Sequence, residues 1–152
     1  MRLIHASLEH LPELKPLVQA FHHFESIVIS DDILEKVLQQ LLDNTQEHGD
    51  VWLVEYEQQF VGYMAVCYSY SIEFGGKCGF IDEFYINEKA RGKGLGSSVL
   101  TMIRQQVKLA PLKRLMLEVD KNNMRAKNTY IKAGFRSRNK YQLMHTALIK
   151  DV

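Results

Sequence analysis

The chain has 152 residues, 46% of them hydrophobic and 24% charged, with a formal net charge of +1. That balance predicts one soluble domain spanning 1–152 with a core of its own, and it excludes a disordered chain. No apolar run approaches the roughly 20 residues that span a bilayer, and Met1-Arg2-Leu3-Ile4-His5 lacks the apolar stretch of a secretory signal, so no membrane and a cytoplasmic setting are expected.

In chain order, residues 2–6 read as a short strand built on Leu3, Ile4 and Ala6. Leu14, Leu17, Val18, Phe21 and Phe24 then recur near helical period, and Pro12 and Pro16 predict that this helix starts or kinks near them. The adjacent His22-His23 at its end read as polar surface rather than metal ligands, because neighbours on a helix point in different directions and no third ligand is evident. Ser30 is placed as the N-cap of a second helix, with Asp31 and Asp32 complementing its dipole and an apolar stripe from Ile33 to Leu42 facing the core.

From Asp50 the period changes to that of strands. Val51–Tyr56 and Phe60–Tyr70, linked by Glu57-Gln58-Gln59, predict a hairpin. Gly75-Gly76 turns the chain into a third strand, Cys78–Ile86. Cys67 and Cys78 have neither metal-ligand spacing nor an evident His partner, and read as small buried residues. After a glycine-rich segment, Leu95, Val99, Ile103 and Val107 define a helix. Pro111 precedes a strand over Arg114–Val119. Asn122 or Asn123 caps a short helix running to Ala133, with Gly134 as its C′ residue, and Tyr141–Ile149 is expected to close the chain as a strand. The plan is β-α-α-β-β-β-α-β-α-β: an α/β fold with a central mixed sheet flanked by helices on both faces.

The segment Arg91-Gly92-Lys93-Gly94-Leu95-Gly96 lies between a strand and a helix. Its glycines let the backbone approach a ligand, and the helix start offers unpaired N–H groups with a partial positive charge. Arg91 and Lys93 add full charges, and Ser97 one more donor, so the segment is an anion cradle. Its spacing is neither the dinucleotide fingerprint nor a Walker loop.

Ile81-Asp82-Glu83-Phe84-Tyr85-Ile86 followed by Arg91–Gly96 resembles the central motif of the GNAT superfamily of acetyl-CoA-dependent N-acetyltransferases. Downstream, Asn123-x-x-Ala126-x-x-x-Tyr130-x-x-x-Gly134-Phe135 resembles that superfamily's second motif, and the order of elements matches its fold. The resemblance implies acetyl-CoA as cofactor, with the amides of Arg91–Gly96 on its pyrophosphate and the strand around Phe84, Tyr85 and Ile86 pairing with pantetheine. It implies that Tyr130 protonates the departing thiolate, and that Asn123, on the same helix face, also addresses the cofactor. Homodimers are common in that superfamily, and the last strand is the expected contact.

An attacking alkylamine is mostly protonated at neutral pH and must lose a proton. A carboxylate or a chain of waters can accept it, and Asp82 and Glu83 are the candidate carboxylates; adjacent on a strand, they point to opposite faces unless the strand bulges, and Glu83 has the greater reach. Residues 1–90 carry 5 Lys/Arg against 15 Asp/Glu, and residues 91–152 carry 14 against 3. An acidic half suits a cationic acceptor and a basic half a phosphate-bearing cofactor. A small cationic amine such as a diamine or polyamine is therefore expected, held by Asp82 and Glu83 and by Glu25, Asp31 and Asp32 around the loop between the first two helices, with Phe21, Phe24 and Tyr68 as apolar wall. The seven basic residues from Lys121 to Lys140 do not make a nucleic-acid site, since no binding motif accompanies them. A peptide amine as acceptor and a non-catalytic CoA-binding module are the competing readings.

Overall fold

The computed structural model describes residues 1–43, 45–107 and 111–149. Five strands, β1 (Arg2–His5), β2 (Gly49–Tyr56), β3 (Gln59–Ser71), β4 (Gly76–Ile86) and β5 (Leu115–Leu117), form one sheet in that order. The first four are antiparallel neighbours, and β5 joins β4 in parallel. The alternation that predicted the hairpin divides its side chains cleanly. Val51, Leu53, Tyr63 and Ala65 enter one core, and Trp52, Val54, Met64 and Val66 enter another on the opposite face. The β2–β3 turn is two residues, Glu57 and Gln58, both left-handed at φ 51° and 62°. That is the twist a tight hairpin demands, achieved here without glycine.

Helices α1 (Leu11–Glu25) and α2 (Asp31–Asp43) cover the first core, with Leu14, Val18, Leu34, Leu38 and Leu42 buried in it. A short helix α3 (Thr45–His48), absent from the expected plan, leads into β2. α1 starts at Leu11 with Pro12 in its first turn, where the missing N–H costs nothing, and it continues through Pro16. Ser30 does cap α2, its Oγ accepting from Ile33 N at 3.4 Å. The second core packs beneath α4 (Leu95–Val107) through Leu95, Val99, Leu100 and Ile103. α5 (Met124–Lys132) lies beside α4, its partly buried Tyr130 packed against the same core. Asn123 Oδ1 accepts from Ala126 N at 3.1 Å to cap α5, and Gly134 follows its end at φ 91°.

The expected strand at Tyr141–Ile149 does not form. Tyr141, Leu143, Met144, Leu148 and Ile149 are 60–94% exposed. An alternating segment becomes a strand only against a ladder, and β5 offers three residues, ending at Leu117. Residues 139–143 instead face 118–121 across an open depression of about 770 Å³. The mixed sheet with helices on both faces stands; its last strand is the correction.

Candidate active site

Two irregularities of β4 create the site. Its parallel register with β5 stops at the Ile81–Leu117 pair, so Asp82–Ile86 present backbone on that side without a β5 partner. Its antiparallel register with β3 passes from Ala65–Glu83 to Val66–Ile81, leaving Asp82 as the extra residue of a bulge. The bulge resets the alternation: Ile81 and Phe84 both belong to the α4 side, whereas Tyr85 belongs to the α1 side. The sequence left open whether this strand bulges. It does, at the first of the two carboxylates.

Beyond the bulge β4 and β5 enclose a cleft of about 620 Å³. At one end is the glycine turn. Gly92 and Gly94 hold φ of 80° and 75°, a region costly for any residue with a Cβ, although a Cβ on either would meet nothing within 4 Å. Conformation, not crowding, demands glycine there. A Cβ on Gly96 would meet the Phe84 ring at 3.9 Å and the Thr129 methyl at 4.0 Å, both ordinary contacts. Ser98 N bonds back to Gly94 O at 3.2 Å, so the amides of Leu95, Gly96 and Ser97 precede the first helical bond of α4. Arg91 completes this end. Its Nε donates to Ile86 O at 2.8 Å, and its guanidinium lies 5.0 Å from the Phe24 ring centre and 5.7 Å from that of Tyr85. Lys93 is not in the cleft; its ammonium lies over the Tyr56 ring at 4.9 Å.

α5 supplies the facing wall, where Asn123, Ala126 and Tyr130 line the cleft at the spacing read from the sequence. The Tyr130 ring packs edge-on against Phe135 at 5.8 Å, and burial raises its phenol above the usual 10.0. That leaves a proton donor at neutral pH.

The carboxylates separate into two environments. Asp82 lines the cleft with Glu118 and Asp120 from the end of β5 and Glu25 from α1. Asp82 is open to solvent through the cleft, yet its pKa is raised, by desolvation first and then by the charges of Glu83 and Glu118, with His22 acting in the opposite sense. Glu83 turns to the α1 side. Its Oε2 accepts from the Tyr63 hydroxyl at 2.7 Å and its Oε1 from His22 Nε2 at 2.6 Å. Burial, and then the Glu83 charge, push the Tyr63 phenol far up.

His22 corrects the expectation of a polar surface, for it is 9% exposed. The sequence held a clue: Leu14, Val18 and His22 fall four apart, and the first two are core. His23, its neighbour, is exposed, and no cluster of metal-ligating side chains occurs among the described residues. Phe21, Phe24 and Glu25 line the cleft, whereas Asp31, Asp32 and Tyr68 do not; Asp31 pairs with Lys15 at 2.8 Å, and the Tyr68 hydroxyl donates to Asp50 while its ring carries the Lys77 ammonium at 3.8 Å. Burial pushes the Cys67 thiol up to about 11, and Cys78 is buried, so neither offers a thiolate nucleophile. Glu118 and Asp120 escaped the sequence reading. Their only signal was a place just past a strand that leads into the cleft.

A sequence model described as the Acetyltransferase (GNAT) family matches residues 14–135. The spermine/spermidine N(1)-acetyltransferase of Bacillus subtilis (strain 168) is 37% identical over 57 residues. That stretch is 37% of this chain, and the match spans only 38% of the length of that curated relative. Among solved structures, an integron cassette protein from the mobile metagenome of Cole Harbour Salt Marsh superimposes with a TM-score of 0.85 at 26% identity, over 98% of this chain and 91% of that one. A predicted acetyltransferase of Clostridium acetobutylicum, solved with acetyl-CoA, superimposes with a TM-score of 0.74 at 18% identity over 95% of both chains.

Proposed function

Because the chain belongs to the Acetyltransferase (GNAT) family, we propose that it transfers an acetyl group from acetyl-CoA to the primary amine of a small cationic acceptor. The observation that carries this reading is the splayed β4–β5 cleft, with the α4 amides at one end and Tyr130 on the facing wall. The residues suit the cofactor. The left-handed glycine turn leaves a helix start open to a pyrophosphate, Arg91 adds charge beside it, and the β4 edge has free backbone groups for the two amides of pantetheine. Ser97 and Asn123 border the same space, whereas the Lys93 ammonium, over Tyr56, leaves the cation's role to Arg91.

When bound, acetyl-CoA supplies an activated thioester. The chain's part is to place an amine beside it and to manage two protons. Asp82 takes the proton from the incoming ammonium. Its raised pKa makes it a better acceptor than an ordinary aspartate, and it is the carboxylate of the adjacent pair that lines the cleft. Tyr130 gives a proton to the departing sulfur, which its raised pKa equips it to keep until then. Glu25, Glu118 and Asp120 make the acceptor end electronegative, and Phe21 and Phe24 provide apolar surface for a methylene chain. Tyr68 stands apart from this set. The partial relative's name, a polyamine acetyltransferase, agrees with a cationic acceptor.

The test is thiol release from acetyl-CoA with a panel of diamines, polyamines, amino acids and lysine-containing peptides. Turnover fastest with diamines or polyamines is expected. Preference for the peptides would overturn the acceptor class, and acetyl-CoA binding without turnover on any amine would overturn the enzyme. Tyr130→Phe should lower kcat by about 100-fold, in the usual range for losing a general acid, with acetyl-CoA affinity within about threefold. An unchanged kcat would remove Tyr130 from the reaction.

A further inference from the structure

The least expected polar group in the molecule is the buried His22. It lies on the core-facing stripe of α1, below Leu14 and Val18, where an apolar residue would fit the pattern. Glu83 is a carboxylate and can only accept, so the imidazole Nε2 must carry the hydrogen of the 2.6 Å bond. Nδ1 is buried with no hydrogen-bond partner among the described residues. Tyr63, 1% exposed and held by the same core, occupies the other oxygen of Glu83. Two buried donors from two different elements therefore tether one side chain of β4.

That tether sits next to the bulge. Asp82 is the residue that lacks a β3 partner, and the β5 ladder ends one residue before it, so backbone pairing to neither strand sets its direction. The side chain of Glu83, fixed on the α1 side, sets the phase of β4 at that point and leaves its neighbour to face the cleft. We infer that His22 is a positioning residue of the transfer reaction: by clamping Glu83 it holds the bulge that presents Asp82 to the amine. This rests on the transferase reading above. His22 needs no contact with acceptor or cofactor, and it is not among the residues that line the cleft. The effect belongs to kcat, since misplacing a reacting group by about 1 Å can cost on the order of 100-fold in rate.

The experiment compares His22→Leu, which keeps bulk and loses the donor, with His22→Gln, which retains an N–H near the Nε2 position. His22→Leu should lower kcat at least about tenfold while the acetyl-CoA KM stays within about twofold, and His22→Gln should recover kcat to within about threefold of wild type. In a Glu83→Leu background, adding His22→Leu should change kcat by less than about twofold, because a side chain without an acceptor has already cut the clamp. Wild-type kcat in His22→Leu, no rescue by Gln, or full additivity with Glu83→Leu would each overturn the inference. If His22→Leu does not fold, Tyr63→Phe cuts the other tether and should lower kcat at least about threefold with the same acetyl-CoA KM; an unchanged kcat overturns it. Nitrogen-15 NMR of the intact protein gives a readout free of turnover. A hydrogen on His22 Nε2, in the neutral or the charged ring, supports the clamp, and a neutral ring protonated at Nδ1 alone overturns it. A wild type that acetylates no amine would sink the transferase reading itself, whereas an active wild type with an equally active His22→Leu sinks only the role of His22.

Discussion

Asp82 sits where its surroundings oppose its charge, and this has a consequence for stability that can be separated from catalysis. Its folded pKa lies above the ordinary 3.8, so the native state holds that proton more tightly than the unfolded chain does. The unfolded chain therefore binds fewer protons between 3.8 and the folded pKa, and stability falls as pH rises through that window. Replacing the charge should reverse this. Asp82→Asn is expected to raise Tm near pH 7 and to leave it unchanged near pH 3, while lowering turnover; a lower Tm at pH 7 would contradict the environment described for it. The glycines divide in the same way. Gly94→Ala forces a Cβ into a left-handed conformation and should destabilise the free protein by about 1–2 kcal/mol. Gly96→Ala has room, so its effect should fall on acetyl-CoA affinity rather than on the melting temperature. Equal melting temperatures for the two variants would refute the distinction.

At the scale of elements, the hairpin turn carries a correctable flaw. Glu57 and Gln58 both adopt left-handed φ, and the turn lies away from the cleft-lining residues. Gln58→Gly should therefore stabilise the protein by about 1 kcal/mol in denaturant unfolding with no change in turnover. The turn shows how local pattern and local cost differ: Glu57-Gln58-Gln59 is readable as a break between two strands, but not as a strained one. The helix stripes, the β2–β3 alternation and the cap at Asn123 were equally readable, because each is settled by residues within one or two turns of each other. The β4 bulge was not, since it depends on how Ala65 and Val66 register against Glu83 and Ile81, 18 and 15 positions later. His22 was misread for a similar reason. Its burial depends on Glu83, 61 residues away, and an isolated helix gives no hint of that partner. Of the cleft lining, the glycine turn at Arg91–Gly96 and the Asn123–Tyr130 face were legible as local motifs, whereas Glu118 and Asp120 join the cleft only through tertiary structure.

Over the whole molecule, the sign of charge is sorted along the chain, with an acidic first 90 residues and a basic remainder. The cleft runs against that sorting on its acidic side, for Glu25 and Asp82 of the first part are joined by Glu118 and Asp120 of the second, beside Arg91 and Arg125. A cationic acceptor should be drawn in by the acidic set. For a diamine, kcat/KM should fall as ionic strength rises from about 0.01 to 0.15 M, where the Debye length shortens from about 30 to 8 Å, and a singly charged amino alcohol of equal length should show a weaker dependence. Equal salt dependence for both would count against the acidic cleft. Tyr141–Ile149 teaches a different lesson, because its strand-like pattern was legible and its lack of a ladder was not.

The ladder joining β4 to β5 has three residue pairs, and the backbone of β4 continues past it along the cleft. In the proposed complex the pantetheine amides carry the pairing onward, so the working sheet is longer than the polypeptide alone can make it. Part of its secondary structure is then a guest, one that arrives with each acetyl group and leaves with each spent thiol. Under that proposal the architecture is completed and dismantled once per turnover, and the polypeptide contributes the edge on which it is rebuilt.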